Sequence, residues 1–213
     1  MSIIDERAKQ VITENEIRSA SAGDTLRIDE AAILTPLAQD LLRERGIQLE
    51  RVRRRSAARR KRIALGADHG GFEMKEEVKR VLADLGHDYQ DFGTHSTEAV
   101  DYPDYAYVVG RAVAGGTCEL GIVVDGAGIG SCMAANKVPG VRAAMCYDEA
   151  SARNSREHNG ANVLTLGGKM ISNDRMRAIV TAWLASELTE DRHRRRVEKI
   201  DAIEREYLKS QSK

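Results

Sequence analysis

The sequence predicts an α/β fold: a mostly parallel sheet with helices on both faces, preceded by a small N-terminal α/β appendage. Three observations carry the prediction. Continuous apolar runs of four to six residues recur, as in Leu120–Asp125 (LGIVVD) and residues 163–166 (VLTL), and a strand apolar along its whole length is one buried on both faces. Stretches of helical period separate these runs, as in parallel βαβ units. Several runs end in polar or glycine-rich loops, where such folds place ligands.

In chain order, residues 62–66 (RIALG) form the first strand of the main domain, followed by DHGG and an amphipathic helix over residues 72–85. A second strand is expected over residues 87–92 and a helix over 105–114. The run LGIVVD then leads into a glycine-rich loop. A strand over 141–146, a helix over 150–157, a strand over 163–166 and a helix over 174–188 complete the alternation. The charged tail over residues 193–208 has helical period and can reach across a partner subunit.

Composition narrows the class. The 213 residues suffice for one ordinary domain plus an appendage. A hydrophobic share of 42% suits a globular protein, and 33 basic against 33 acidic residues argue against nucleic-acid or membrane partners. No run reaches membrane-spanning length, and the acidic, apolar-poor start MSIIDERAKQ is not read as a secretory signal. Cys118, Cys132 and Cys146 lack metal-ligand spacing and read as reduced, cytosolic thiols. Residues 51–62 (RVRRRSAARRKR) hold eight basic side chains: Arg51, Arg53, Arg54, Arg55, Arg59, Arg60, Lys61 and Arg62. That run reads as a solvated linker over residues 51–61, between an appendage (1–50) and a main domain (62–213).

Four constellations can carry chemistry. In GADHGGF, Asp68 and His69 follow a strand and precede two glycines. They read either as a polar pair facing a ligand or as a helix cap with a surface histidine. In VVDGAGIGS, Gly126, Gly128 and Gly130 follow Asp125, and their amides can cradle an anion. The spacing is not a dinucleotide fingerprint, and the GK[ST] ending of a P-loop is missing. In SREHNGANVLTLGGK, His158 and Asn159 end a helix and Lys169 follows a strand. In DRHRRRVEK, Arg192 and Arg196 share a helix face, which suits either a phosphate or solvent. The loops over residues 67–71, 125–130 and 156–160 are all expected at the carboxyl ends of the strands.

Taken together, GADHGGF, DFGT, DYPDYA, VVDGAGIGSCMAANKVPGVRA, SREHNGANVLTLGGK and RHRRRVEKI resemble the ribose-5-phosphate isomerase B family, which includes the galactose-6-phosphate isomerase subunits; the resemblance covers residues 61–208. It implies a Rossmann-like three-layer sandwich, a cytoplasmic dimer or tetramer with sites at the subunit interface, and aldose–ketose isomerisation through a cis-enediolate without metal or cofactor. It implies that His158 opens the sugar ring and that Asp68 and His69 contact sugar hydroxyls, ring oxygen or phosphate. Gly126, Gly128 and Gly130 would present amides to the enediolate, with Asn159 beside them. Lys169, Arg192 and Arg196 would bind the phosphate, and Tyr102 would line the site. The family's usual cysteine base is Asp125 here, and Ser131 stands where other members carry a glutamate base, so Asp125 is the expected base. Ala127 replaces a hydroxyl residue. Ribose 5-phosphate is the default substrate, with galactose 6-phosphate, allose 6-phosphate and a tetrose phosphate open. An inactive scaffold subunit is the alternative of another class.

Residues 1–50 fall outside this pattern. They read as a short helix, a strand-like stretch and an amphipathic helix over residues 35–45, with Leu37, Leu41 and Leu42 as its apolar stripe. The phrase ILTPLAQDLLRERGIQ is similar to the N-terminal segment of ethanolamine-utilisation cobalamin adenosyltransferases. That resemblance implies docking to shell or cargo proteins of a bacterial microcompartment; an oligomerisation arm is the other reading.

Overall fold

The computed structural model describes residues 2–6, 9–30, 32–52 and 60–210. The chain divides into two units, Met1–Arg59 and Arg60–Lys213. Among the described residues no helix is long and apolar enough to cross a membrane.

The first unit runs β1 (Ile3–Asp5), β2 (Val11–Ile12), α1 (Glu14–Ile17), β3 (Thr25–Asp29), β4 (Ile33–Leu34), α2 (Pro36–Glu44) and β5 (Gln48–Val52). Strands β1, β3 and β5 form one parallel sheet, and β2 pairs with β4 in another. The sequence predicts one strand-like stretch here; strands of two to five residues are too short to display a period of their own. Thr35 caps α2, Pro36 opens it, and Gly46 at φ +63° follows its end. The helix buries Ala38 and Leu42 against Ile12, Ile17, Leu26 and Ile28. Leu37, expected in that stripe, faces solvent instead, because the inward face is set by Ala38 and Leu42 at i, i+4.

The second unit runs β6 (Arg62–Ala67), α3 (Phe72–Asp84), β7 (Asp88–Asp91), α4 (Tyr102–Ala114), β8 (Leu120–Asp125), α5 (Ile129–Ala135), β9 (Ala143–Met145), α6 (Glu149–Glu157), β10 (Val163–Gly167), α7 (Asn173–Ala185) and α8 (Asp191–Ser210). Its five strands lie in the order β7-β6-β8-β10-β9, all parallel. Successive side chains alternate between two cores. Ile63, Leu65, Ile122, Val124, Leu164 and Leu166 pack against Val78 and Leu82 of α3 and Ile179 and Trp183 of α7. Ala64, Val123 and Val163 face the other way, onto Val109 and Val113 of α4 and Ala135 of α5. The result is the helix–sheet–helix sandwich expected of continuous apolar strands.

The basic run is not wholly a solvated linker. Arg51 lies in β5, and its guanidinium donates to the carbonyls of Glu30 and Ala32. Arg60 pairs with Asp88. Lys61 is buried, its stem enclosed while Nζ reaches the Leu184 carbonyl and Glu187, both at 3.3 Å. Arg62 starts β6. Arg53, Arg54, Arg55 and Arg59 lie outside the described residues.

Candidate active site

The strand order creates the site. From β6 the chain passes to β7 on one side and then returns to β8 on the other. The carboxyl ends of β6 and β8 therefore flank a topological switch point, where adjacent loops diverge and leave a crevice. Three turns meet there. A Cβ on Gly70 would lie 3.4 Å from the Gly126 backbone, and one on Gly168 would lie 3.1 Å from the Gly70 carbonyl. One on Gly71 would lie 2.1 Å from the Val124 carbonyl, a contact only glycine permits.

Asp68 is buried at the end of β6. Its amide donates to the Val124 carbonyl at 3.2 Å. Oδ1 accepts from the Gly71 amide at 2.9 Å, and Oδ2 has no partner among the described residues. One oxygen thus secures the turn into α3, and the other is left without a partner among the described residues. His69 is exposed, its Nδ1 lying against the Val100 backbone at 3.1 Å. Tyr102 stacks over Gly130, where a Cβ would come within 2.5 Å of the ring. The Lys169 amide donates to the Gly126 carbonyl at 3.0 Å, which brings this exposed cation to the same crevice.

Asp125 is the expected base. It is buried, and its carboxylate is turned back into the following loop. Oδ1 accepts from the Ala127 amide at 2.8 Å and from the Gly128 amide; Oδ2 accepts from the Ser131 amide at 2.8 Å. The reason is local: an acidic side chain before a tight glycine turn satisfies amides that would otherwise be orphaned. Gly128 therefore does not present its amide to a ligand. The amides of Gly126 and Gly130 have no acceptor among the described residues. The Ser131 hydroxyl is buried without a hydrogen-bond partner.

The loop over residues 156–160 lies at the opposite end of the sheet from its predicted place. It follows α6 and leads into β10, so in a parallel sheet it must lie at the amino edge. The adjoining Asn162 carbonyl accordingly accepts from Gly121, near the start of β8. His158 and Asn159 stand at this edge with α8. The His158 and His193 rings stack at 4.1 Å between centroids and 12° between planes. Asn154 Nδ2 lies 2.9 Å from His158 Nδ1, which leaves Nε2 as the proton-bearing nitrogen. Arg196 lies 3.5 Å from His193 Nδ1, and Arg192 pairs with Glu190 at 2.5 Å. Burial pushes the His193 imidazole below its ordinary value, and His158, Arg192 and Arg196 add to that against Glu190. His193 is the member of this group that the sequence reading missed. Its signal was the 193/197 spacing, which puts it on the inward face of α8 beside buried Val197.

Two groups of residues result, one at each edge of the sheet. Asp68, His69, Tyr102, Gly126, Gly130 and Lys169 lie at the carboxyl end; His158, Asn159, His193, Arg192 and Arg196 lie at the amino end. The four steps of β10 between them span roughly 13 Å. A neighbouring groove of about 550 Å³ is lined by Glu73, Glu76 and Glu77 and suits no phosphate. Among the described residues no group of acidic, histidine or cysteine side chains is arranged to hold a metal ion.

Residues 63–200 match the model of the ribose/galactose isomerase family. Ribose-5-phosphate isomerase B of Escherichia coli is 45% identical over 144 residues, which are 68% of this chain and 97% of that protein. D-erythrulose-4-phosphate isomerase of Pectobacterium atrosepticum is 38% identical over 143 residues, covering 67% of this chain and 94% of the relative. The structure of Clostridium thermocellum ribose-5-phosphate isomerase B superposes with a TM-score of 0.67 at 48% identity, over 68% of this chain and 99% of that one. With the family match, the relatives and the fold in agreement, the chain belongs to the ribose/galactose isomerase family.

Proposed function

We propose that the chain interconverts an aldose phosphate and its ketose, with ribose 5-phosphate and ribulose 5-phosphate as the default pair, at sites shared between two copies. The observation that carries this reading is the crevice at the β6/β8 switch point: a carboxylate with a free oxygen, two unsatisfied amides and a lysine meet there. That set matches the needs of the reaction: a proton acceptor, donors for the enediolate oxygen and a cation for the phosphate. The ring-opening imidazole and the paired arginines lie too far away in the same chain and are supplied by the amino-end half-site of a second copy. There His158 Nε2 hands its proton to the ring oxygen as the sugar opens. Arg192 and Arg196 add two forks to Lys169 around the phosphate.

A tetrose phosphate is the second reading, favoured by the 38% identity to an erythrulose-phosphate isomerase and by Ala127, which brings no hydroxyl to the loop. The unit Met1–Arg59 has its own core, and we assign it a docking or assembly role rather than chemistry. The test is a metal-free assay of the full chain on ribose, allose, galactose and erythrose phosphates, with a chain lacking residues 1–59 alongside. Turnover of one sugar by both chains is the expected result, with kcat agreeing within about twofold. A folded oligomer that converts none of them would establish the scaffold alternative.

A further inference from the structure

We infer that Asp68, not Asp125, carries the proton between C2 and C1, and that Asp125 is a positioning residue that shapes the loop over residues 126–131. The inference rests on the isomerase reading above. A general base must direct a free lone pair at the carbon acid. Asp125 directs its carboxylate at three backbone amides of its own loop, and both oxygens are engaged. Asp68 engages one oxygen with Gly71, which fixes its orientation, and leaves the other free. It is also enclosed, at 7% exposure, and its Oδ1 would lie 3.3 Å from a Cβ placed on Gly70, a point that is 3.4 Å from the Gly126 amide nitrogen. The free Gly126 amide is thus neighbour to the proposed base, where the enediolate oxygen needs a donor. The competing acids are less suited. Asp101 is exposed ahead of α4, Glu73 faces the acidic groove, and His69 holds its Nδ1 against Val100.

The step balances within the substrate. The Asp68 carboxylate removes the C2 proton, the C2–H electron pair becomes the C1=C2 bond, and the carbonyl pair moves onto O1. The Asp68 carboxyl then returns its proton to C1, while the O2 hydroxyl proton passes to O1 across the cis-enediolate. C2 is oxidised as C1 is reduced, and no co-reactant is consumed.

The test compares the full chain with Asp68→Asn, Asp125→Asn and Asp101→Asn on ribose 5-phosphate in D2O, reading ketose formation and deuterium at C1. Asp68→Asn is expected to lose about 10³-fold in kcat, with KM within about threefold. Asp68→Gly is expected to regain turnover on adding formate, a small carboxylate that can occupy the vacated place. Asp125→Asn is expected to raise KM and lower kcat about tenfold, because one carboxylate oxygen becomes an NH2 that cannot accept from the loop amides, and formate will not restore an Asp125→Gly chain. Formate rescue at position 125 or 101, or no rescue at position 68, overturns the inference, even if every substitution inactivates. A parent chain inactive on every sugar phosphate overturns the isomerase reading itself, a result separate from either pattern.

Discussion

Chains carrying Asp68→Asn and chains carrying His158→Asn, each inactive alone, are expected to recover about a quarter of parental turnover when denatured and refolded together. The arithmetic follows from two-fold symmetry. Asp68 lies at the carboxyl edge of the sheet and His158 at the amino edge, so a site shared between two copies, as proposed, draws one group from each chain. A mixed dimer then holds one site with both defects and one with neither. Random pairing makes about half the dimers mixed, and each has about half the normal sites. Refolding either variant by itself restores nothing. Steady-state rates of the mixed and unmixed samples are the readout. Absence of recovery in a refolded dimer would place both groups in a site within one chain, against the separation across β10.

Asp91→Asn is expected to destabilise the second unit by about 3–5 kcal/mol, because it leaves a buried charge without its main partner. The Lys75 side chain is fully enclosed, and its ammonium lies 2.6 Å from Asp91 and 2.8 Å from Glu76. Lys79 donates to the same Asp91 oxygen at 2.5 Å. Thermal unfolding followed by circular dichroism should show the melting temperature falling by about 10 °C. Lys75→Met in the same chain should recover part of the loss, since the uncompensated charge is then removed. The acid side carries the same signature. Burial pushes the Asp91 carboxyl up, but Lys75, Lys79 and the Gly93 amide outweigh it and hold it below its ordinary value. A carboxylate lowered in the folded state stabilises fully above its unfolded value, near about 3.9, and loses that contribution as pH falls below it. The parental melting temperature should therefore drop more steeply below about pH 4 than that of Asp91→Asn.

The sandwich was legible because the strands are apolar throughout and the helices between them are amphipathic; both are periodic signals that survive in one dimension. Asp68, the glycine turn and Lys169 were legible for the same kind of reason, since each follows directly on a strand. The position of His158 was misread because its motif looks like the others, although it follows a helix and precedes a strand. In a parallel sheet that order alone assigns it to the other edge. The orientation of Asp125 could not be read, because residue type says nothing about which lone pairs the backbone will claim. His193 was hidden in a charge run whose helical spacing, with Val197 one turn on, marks a face turned inward. Lys61 was hidden likewise, because a long aliphatic stem can be buried while its head reaches a carbonyl.

With the two groups of residues facing away from each other across one sheet, the proposed shared site makes activity a collective property. On that proposal an isolated copy holds only part of a site. Turnover then grows with the square of chain concentration while copies are scarce and linearly once they are paired. On the same proposal, any contact that gathers copies together, including one made through residues 1–59, would act as an activator without touching the substrate.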